Sequence, residues 1–289
     1  MKLMRLGEPG HERPAVRTDD AHYIDVSDVV GDYDAAFFAE GGLARLPELV
    51  AARVGLERPF VDEQGHAQRI GAPIARPHQI LCIGLNYSDH AAETGAEVPP
   101  EPIVFNKAPN TLVGPNDGIR LPRGSEKTDW EVELGIVIGQ RSSYLGSAQA
   151  AHQAIAGYVL VNDVSERAFQ LERSGQWVKG KSAETFNPAG PWLATPDELP
   201  DAGRLSMWLD VNGERKQTGT TSTMAFDPSF IVQYLSQFMV LEPGDLINTG
   251  TPPGVGMGQK PPQFLRAGDV VELGIEHLGV QRQVVLEPW

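Results

Sequence analysis

A single cysteine among 289 residues leaves Cys82 without a partner for an internal disulfide. Its place in the apolar run Ile80-Leu-Cys-Ile-Gly84 reads as a buried, inert thiol. Positive charge is scarce as well: 24 Lys and Arg stand against 38 Asp and Glu, a formal net charge of −14. That field repels phosphate backbones and anionic lipid surfaces, which disfavours nucleic acid and membranes as partners. Apolar runs of the roughly 18 residues needed to span a bilayer are absent, and the opening Met1-Lys-Leu-Met-Arg5 turns polar without the apolar core of a signal peptide. A cytoplasmic protein acting on a small molecule is expected. If that molecule is anionic, a local cluster of Lys, Arg or metal charge must offset the global field.

The chain does carry ordinary globular signals. Residues 1–72 read as a small N-terminal domain with strand-like pieces at Lys2–Leu6 and Tyr23–Val26 and a helix-spaced stretch at Leu43–Val54. Gly71–Pro77, with two prolines, reads as a linker. Over 73–289 strands and turns dominate: Asn212-Gly213 marks a hairpin, and Asp269–Ile275 with Gly279–Leu286 a closing one. Two helices are predicted. Ser147 can cap Ala148–Ala156, and Asp227-Pro228 can start a helix with Phe230, Ile231, Tyr234, Leu235, Phe238 and Met239 on one side. Many strands with few helices point to an α+β fold built on a large mixed sheet.

The stretch Gly175-Gln-Trp-Val-Lys-Gly-Lys-Ser182 fits the phosphate-loop pattern letter for letter. Its surroundings do not fit: such a loop needs an apolar strand before it and a helix starting at the Lys-Ser. Here a charged segment precedes it, and Pro188, Gly190 and Pro191 follow. Lys181 then needs another role. The glycines of Gly250–Gly258 are wrongly spaced for a dinucleotide site and read as a loop whose backbone can approach a ligand closely.

In Asp129-Trp-Glu131-Val-Glu133-Leu134, period-2 alternation stacks Asp129, Glu131 and Glu133 on one face of a strand. Such a row is either spread over a solvated face or neutralised by a cation. A second apolar run, Gly157–Val161, ends in Asn162-Asp163, a position where site residues recur. Carboxylates without Cys or His suit a hard cation, Mg²⁺ or Mn²⁺. Lys107, Arg167 and Lys181 lie near these segments in sequence and are the local cations that an anionic ligand requires. In Asn86–Gly95, His90 and Glu93 fall three apart on one predicted helix face, where a carboxylate can orient an imidazole for water activation. An H-x-x-E pair is also common on solvated surfaces.

Taken in order, Gly84-Leu-Asn-Tyr-Ser-Asp-His90, Asp129–Leu134, Asn162-Asp-Val-Ser-Glu-Arg167, Lys179-Gly-Lys-Ser182 and Asn248–Gly256 resemble the fumarylacetoacetate hydrolase family across residues 76 to 289. The resemblance implies a mixed β-roll, a homodimer, and Mg²⁺ or Mn²⁺ held by Glu131, Glu133 and Asp163. It implies His90 and Glu93 as the water-activating dyad, with Lys181 in the pocket, and Lys107, Arg167, Gln170 and Thr251 at positions that contact substrate or support the site. The activity implied is hydrolysis of a carbon–carbon bond in a 2,4-dioxo acid to pyruvate and a carboxylic acid, the preferred substrate being a 2,4-didehydro-3-deoxy-fuconate or -rhamnonate. Oxaloacetate decarboxylation, isomerisation of 2-hydroxyhepta-2,4-diene-1,7-dioate, and a non-catalytic binding protein on the same scaffold are the alternatives.

Overall fold

The structure, a computed structural model, describes residues 1–61, 64–89 and 99–289. Its centre is the pair of antiparallel strands Val132–Ile138 and Ile155–Asn162, both buried along their whole length. Their sequences are rich in Val, Ile and Leu, as expected of strands covered on both faces. A ten-stranded mixed sheet grows outward from this pair. On one side Leu246–Asn248, Ile80–Gly84 and Ile103–Lys107 follow, with a parallel step between the first two. On the other side come Leu193–Ala194 and then Lys2–Leu6, Arg13–Arg17, His22–Asp25 and Arg58–Pro59.

A second sheet of five strands is formed by Glu214–Thr220, Ser206–Val211, Val270–Ile275, Gly279–Leu286 and Ile119–Arg120. Leu134, Ile136 and Leu160 share one core with its Met207, Leu209, Val271 and Leu273. On the opposite face Val137, Val159 and Val161 pack with Ile80, Cys82, Leu3, Val16, Phe37 and Leu46. Period-2 alternation therefore sorts the central strand as expected: Val132, Leu134 and Ile136 turn to the second sheet, and Glu133 and Val137 turn away from it. The mixed sheets with few helices are the expected α+β fold.

The segment predicted to be a linker is not one in form. Ala72 and Ile74 are buried, their carbonyls accept from Arg5 Nη1 at 3.2 and 3.3 Å, and Gly71 donates to the Arg5 carbonyl. Lys2 pairs with Ala194 and Leu3 with Leu193, so the first strand continues the main sheet. Asn212 (φ 54°) and Gly213 (φ 77°) make the predicted hairpin turn. The predicted Asp227 cap holds, accepting from the Phe230 amide above the helix Pro228–Leu235. Ser147 likewise caps a helix, but it stops at Gln153 because Ile155–Gly157 are drawn into the central sheet. Here tertiary pairing overrides local propensity.

Candidate metal and substrate site

The row of acids does not ride on one uninterrupted strand. Thr128–Asp129 pairs with Ser165–Glu166, and Val132 pairs with Asn162, leaving Trp130-Glu131 as a break between two short ladders. The amides freed by the break find side chains: Glu131 N donates to Asn162 Oδ1 at 3.1 Å and Val132 N to Gln217 Oε1 at 2.9 Å. The Glu131 carbonyl accepts from Asp163 N at 2.9 Å, which ties the two acidic segments backbone to backbone.

Glu131, Glu133 and Asp163 are buried and bring carboxylate oxygens within 4.8 Å of one another. Asp129 belongs elsewhere: it accepts from the amides of Gly256 and Met257 at 2.6 and 3.0 Å, fastening the glycine loop to the site.

Cations interleave these acids. Arg167 Nε reaches Asp129 at 2.8 Å and its Nη2 reaches Glu131 at 2.6 Å. Lys181 Nζ bridges Glu131 Oε2 at 2.7 Å and Asp163 Oδ2 at 2.8 Å, and Lys107 pairs with the other Asp163 oxygen. The order is Asp129, Arg167, Glu131, Lys181, Asp163, Lys107, with signs alternating throughout. Burial alone would raise the Glu131 carboxyl, but Lys181 and Arg167 outweigh it and bring it down to about 2. Burial would likewise lower Lys181, yet Asp163 and Glu131 hold it above the ordinary lysine range.

Glu133 stands outside this row. Among the described residues it has no ion-pair partner and accepts one hydrogen bond, from Gly250 N at 2.8 Å. Burial, then Asp163 and Glu131, push its carboxyl well above the usual range. Four buried carboxylates face three buried cations, one negative charge in excess. A dication suits this donor set: all oxygen, no sulfur or imidazole among the described ligands, and one acid otherwise uncompensated. Octahedral ligands at about 2.1 Å lie up to about 4.2 Å apart, within a small side-chain adjustment of the spread seen here. The ion would turn the cluster net positive and offset the global negative field for an anionic substrate.

A pocket of about 220 Å³ opens on these groups, lined by Glu131, Glu133, Arg167, Gln170, Lys181 and Thr251 on its polar side. Gln170 Oε1 accepts from Arg167 Nη1 at 3.0 Å. Thr251 donates its hydroxyl to the Val132 carbonyl and accepts from Gln217 Nε2, at 2.9 and 2.8 Å. Lys107 does not line the pocket. It is 1% exposed, and its ammonium is spent on Asp163, Val164 O and Phe186 O, so it supports Asp163 from behind. Leu85, in the left-handed region (φ 53°), also faces the pocket. Asn86 pins that turn through Thr249 O and both backbone groups of the Ala225-Phe226 region. His90 and Glu93 lie outside the described residues.

The phosphate-loop look-alike is a short helix, Val178–Lys181, that delivers Lys181 to the acids. Gly180 lets it press on the helix Arg167–Leu171, because a Cβ there would meet the Gln170 amide at 2.5 Å and collide with the Glu166 carbonyl. Asn162, Gln217 and Trp177 are not singled out as site residues in the sequence. Buried amides carry no periodic signal, though Asn162 borders Asp163 and Trp177 sits within the loop pattern itself.

Among the described residues, no helix is long and apolar enough to cross a membrane. The family described as Fumarylacetoacetate (FAA) hydrolase C-terminal matches residues 79–286. A Burkholderia multivorans relative carrying a provisional hydrolase name is 51% identical over 285 residues, 98% of each chain. The fumarylacetoacetate hydrolase of psychrophilic Exiguobacterium antarcticum superposes with a TM-score of 0.84 at 33% identity, covering 99% of each chain. The 2-hydroxyhepta-2,4-diene-1,7-dioate isomerase of Mycobacterium marinum does so with a TM-score of 0.75 at 31% identity, over 99% of this chain and 98% of that one.

Proposed function

The chain belongs to the fumarylacetoacetate hydrolase family, and from that premise we propose that it hydrolyses a carbon–carbon bond of a 2,4-dioxo acid to give pyruvate and a carboxylic acid. The observation that carries this reading is the convergence of Glu131, Glu133 and Asp163 beside Lys181 at the end of an apolar pocket. Those three acids would hold Mg²⁺ or Mn²⁺, which when bound supplies Lewis-acid polarisation of the substrate's carboxylate and C2 oxygens.

The chain's own groups do the rest. Arg167 keeps N–H donors beyond those spent on Asp129, Glu131 and Gln170, and with the Gln170 amide group it binds the substrate carboxylate. His90, oriented by Glu93 as the family resemblance implies, takes a proton from the water whose oxygen adds to C4. The C3–C4 bond breaks and its electron pair passes to C3 as the pyruvate enolate, which Lys181, held protonated by its acidic neighbours, stabilises. A proton returned to C3 completes pyruvate, and the water oxygen leaves in the carboxylic acid. A homodimer, implied by the same resemblance, is part of the proposal and is checked by light scattering.

Pyruvate release from a panel of 2,4-dioxo acids, the 3-deoxy aldonate derivatives included, tests this with manganese or magnesium supplied. Release should vanish in excess chelator and in Glu131→Ala; release that survives either change would end the proposal. A neighbour named as an isomerase at 31% identity makes isomerisation of a hydroxymuconate-type diacid the second reading. It uses the same acids and Lys181 without consuming water or releasing pyruvate, and is tested beside that panel by following the ultraviolet absorbance of 2-hydroxyhepta-2,4-diene-1,7-dioate.

A further inference from the structure

The pocket has an apolar wall: among the described residues, Ile83, Phe105, Leu171, Trp177 and Met257 line it. Phe105 begins this wall directly at the charged end, since Lys181 Nζ lies 5.1 Å from the centre of its ring. Trp177 meets Phe105 edge to face, ring centres 5.1 Å apart at 64°, an arrangement favoured by aromatic quadrupoles. The indole's six-membered ring is laid over Gly84, where a Cβ would come within 2.7 Å of Cζ3. Gly84 therefore makes the room that Trp177 fills. The half-buried indole N–H has no hydrogen-bond partner among the described residues.

The pocket's polar side chains among the described residues are Glu131, Glu133, Arg167, Gln170, Lys181 and Thr251. Gln170 Oε1 is committed to Arg167, and the Thr251 hydroxyl both donates and accepts within the protein. A substrate tail with a hydroxyl on each carbon would bring those groups against Phe105, Trp177 and Met257, where the indole N–H can serve one hydroxyl and the described side chains leave the others to lose water without gaining partners. A flat or aliphatic tail would instead gain burial against the same rings.

We propose that Trp177, seated on Gly84 and braced by Phe105, is the specificity-determining residue of this site and selects 2-oxo acids whose acyl end is apolar, aryl or alkyl, over polyhydroxylated ones. This rests on the reading of the acidic end as a 2-oxo-acid site. It sets aside the deoxy-aldonate that the resemblance prefers.

The test is a binding series on the full chain with manganese in excess, read by calorimetry: pyruvate, 2-oxohexanoate, phenylpyruvate and a 3-deoxy-2-oxo aldonate. Phenylpyruvate and 2-oxohexanoate should bind about tenfold or more tighter than pyruvate, and the aldonate no tighter than pyruvate. Trp177→Ala should collapse the ratio between phenylpyruvate and pyruvate. Gly84→Val, which pushes the ring from its seat, should do the same from the other side and covers the case of a poorly folding Trp177 variant. Equal affinities across the series, preference for the aldonate, or an unchanged ratio in both variants would overturn the assignment of Trp177 while leaving the 2-oxo-acid reading standing. Failure of every 2-oxo acid to bind, pyruvate included, would remove both.

Discussion

Glu133 Oε2 accepts the Gly250 amide at 2.8 Å, and this single hydrogen bond does not compensate its burial beside Asp163 and Glu131. Asp129, Glu131 and Asp163 each form an ion pair with a buried cation, whereas Glu133 forms none among the described residues and feels Lys181 only at longer range. The glycine loop and the central strand thus meet at the one acid left for a proton or a metal to neutralise.

Glu133→Gln should therefore stabilise the metal-stripped protein, and by more as pH rises. A carboxyl whose folded pKa is raised contributes its full stabilisation below the ordinary carboxyl range and loses it as pH climbs through the raised value. Thermal melts in chelator, wild type against Glu133→Gln from acid to mildly alkaline pH, should diverge in that direction; parallel curves would contradict it. Manganese at a hundredfold excess over its dissociation constant should add about 2.7 kcal/mol to the wild type and much less to the variant.

Lys107→Met should be severe. It leaves Asp163 with Lys181 as its one cation among the described residues and strips a donor from the carbonyls of Val164 and Phe186. Breaking a buried pair in this way costs about 3–5 kcal/mol, a fall in melting temperature of about 10 °C for a chain of this size. Exposed Lys179→Ala should stay within about 0.5 kcal/mol. A mild Lys107 variant would mean that Asp163 is not held from behind.

Gly180→Ala tests the seam between two short helices. The added methyl meets the Gln170 amide and the Glu166 carbonyl, so Val178–Lys181 and Arg167–Leu171 must part. Overpacking of this kind costs about 1–3 kcal/mol. Because Arg167, Gln170 and Lys181 ride on those helices, kcat/KM should fall along with stability. Wild-type kinetics in a stably folded variant would show that the seam does not position the site.

Gln217→Leu should act at a distance. It leaves Val132 N, Thr251 and Pro252 O without their buried partner, a loss of about 1–3 kcal/mol. Gln217 touches no substrate, so the expected signature is a lowered kcat with Gly250–Gly258 more open to hydrogen exchange, read by mass spectrometry. Unaltered exchange in that loop would reduce Gln217 to a packing residue.

What the sequence made legible follows from what is local. The alternation of Val132, Glu133 and Leu134 gave the faces of the central strand, and Asn212-Gly213 and Asp227 named their own turn and cap. The interruption at Trp130-Glu131 had no local sign, because it depends on Asn162 and Gln217 being available to accept the freed amides. Lys107 finds Asp163 across 56 positions and Lys181 finds Glu131 across 50; proximity in sequence suggested a shared neighbourhood but not the alternating order. Gly71–Pro77 had the composition of a linker, while Arg5, far ahead in the chain, is what binds its carbonyls. The phosphate-loop letters could be set aside from their neighbours in sequence, but the role of Gly180 could not be read there, since it depends on the Arg167–Leu171 helix against which it rests.

The row running from Asp129 to Lys107 also constrains how this protein can change over generations. Each interior member answers to the neighbour on either side, so losing one charge takes a partner from two others. Drift at these sites has to proceed by paired exchanges, such as Asp129 and Arg167 neutralised together. Functional divergence is left to the rings across the pocket, where a single replacement disturbs no such balance.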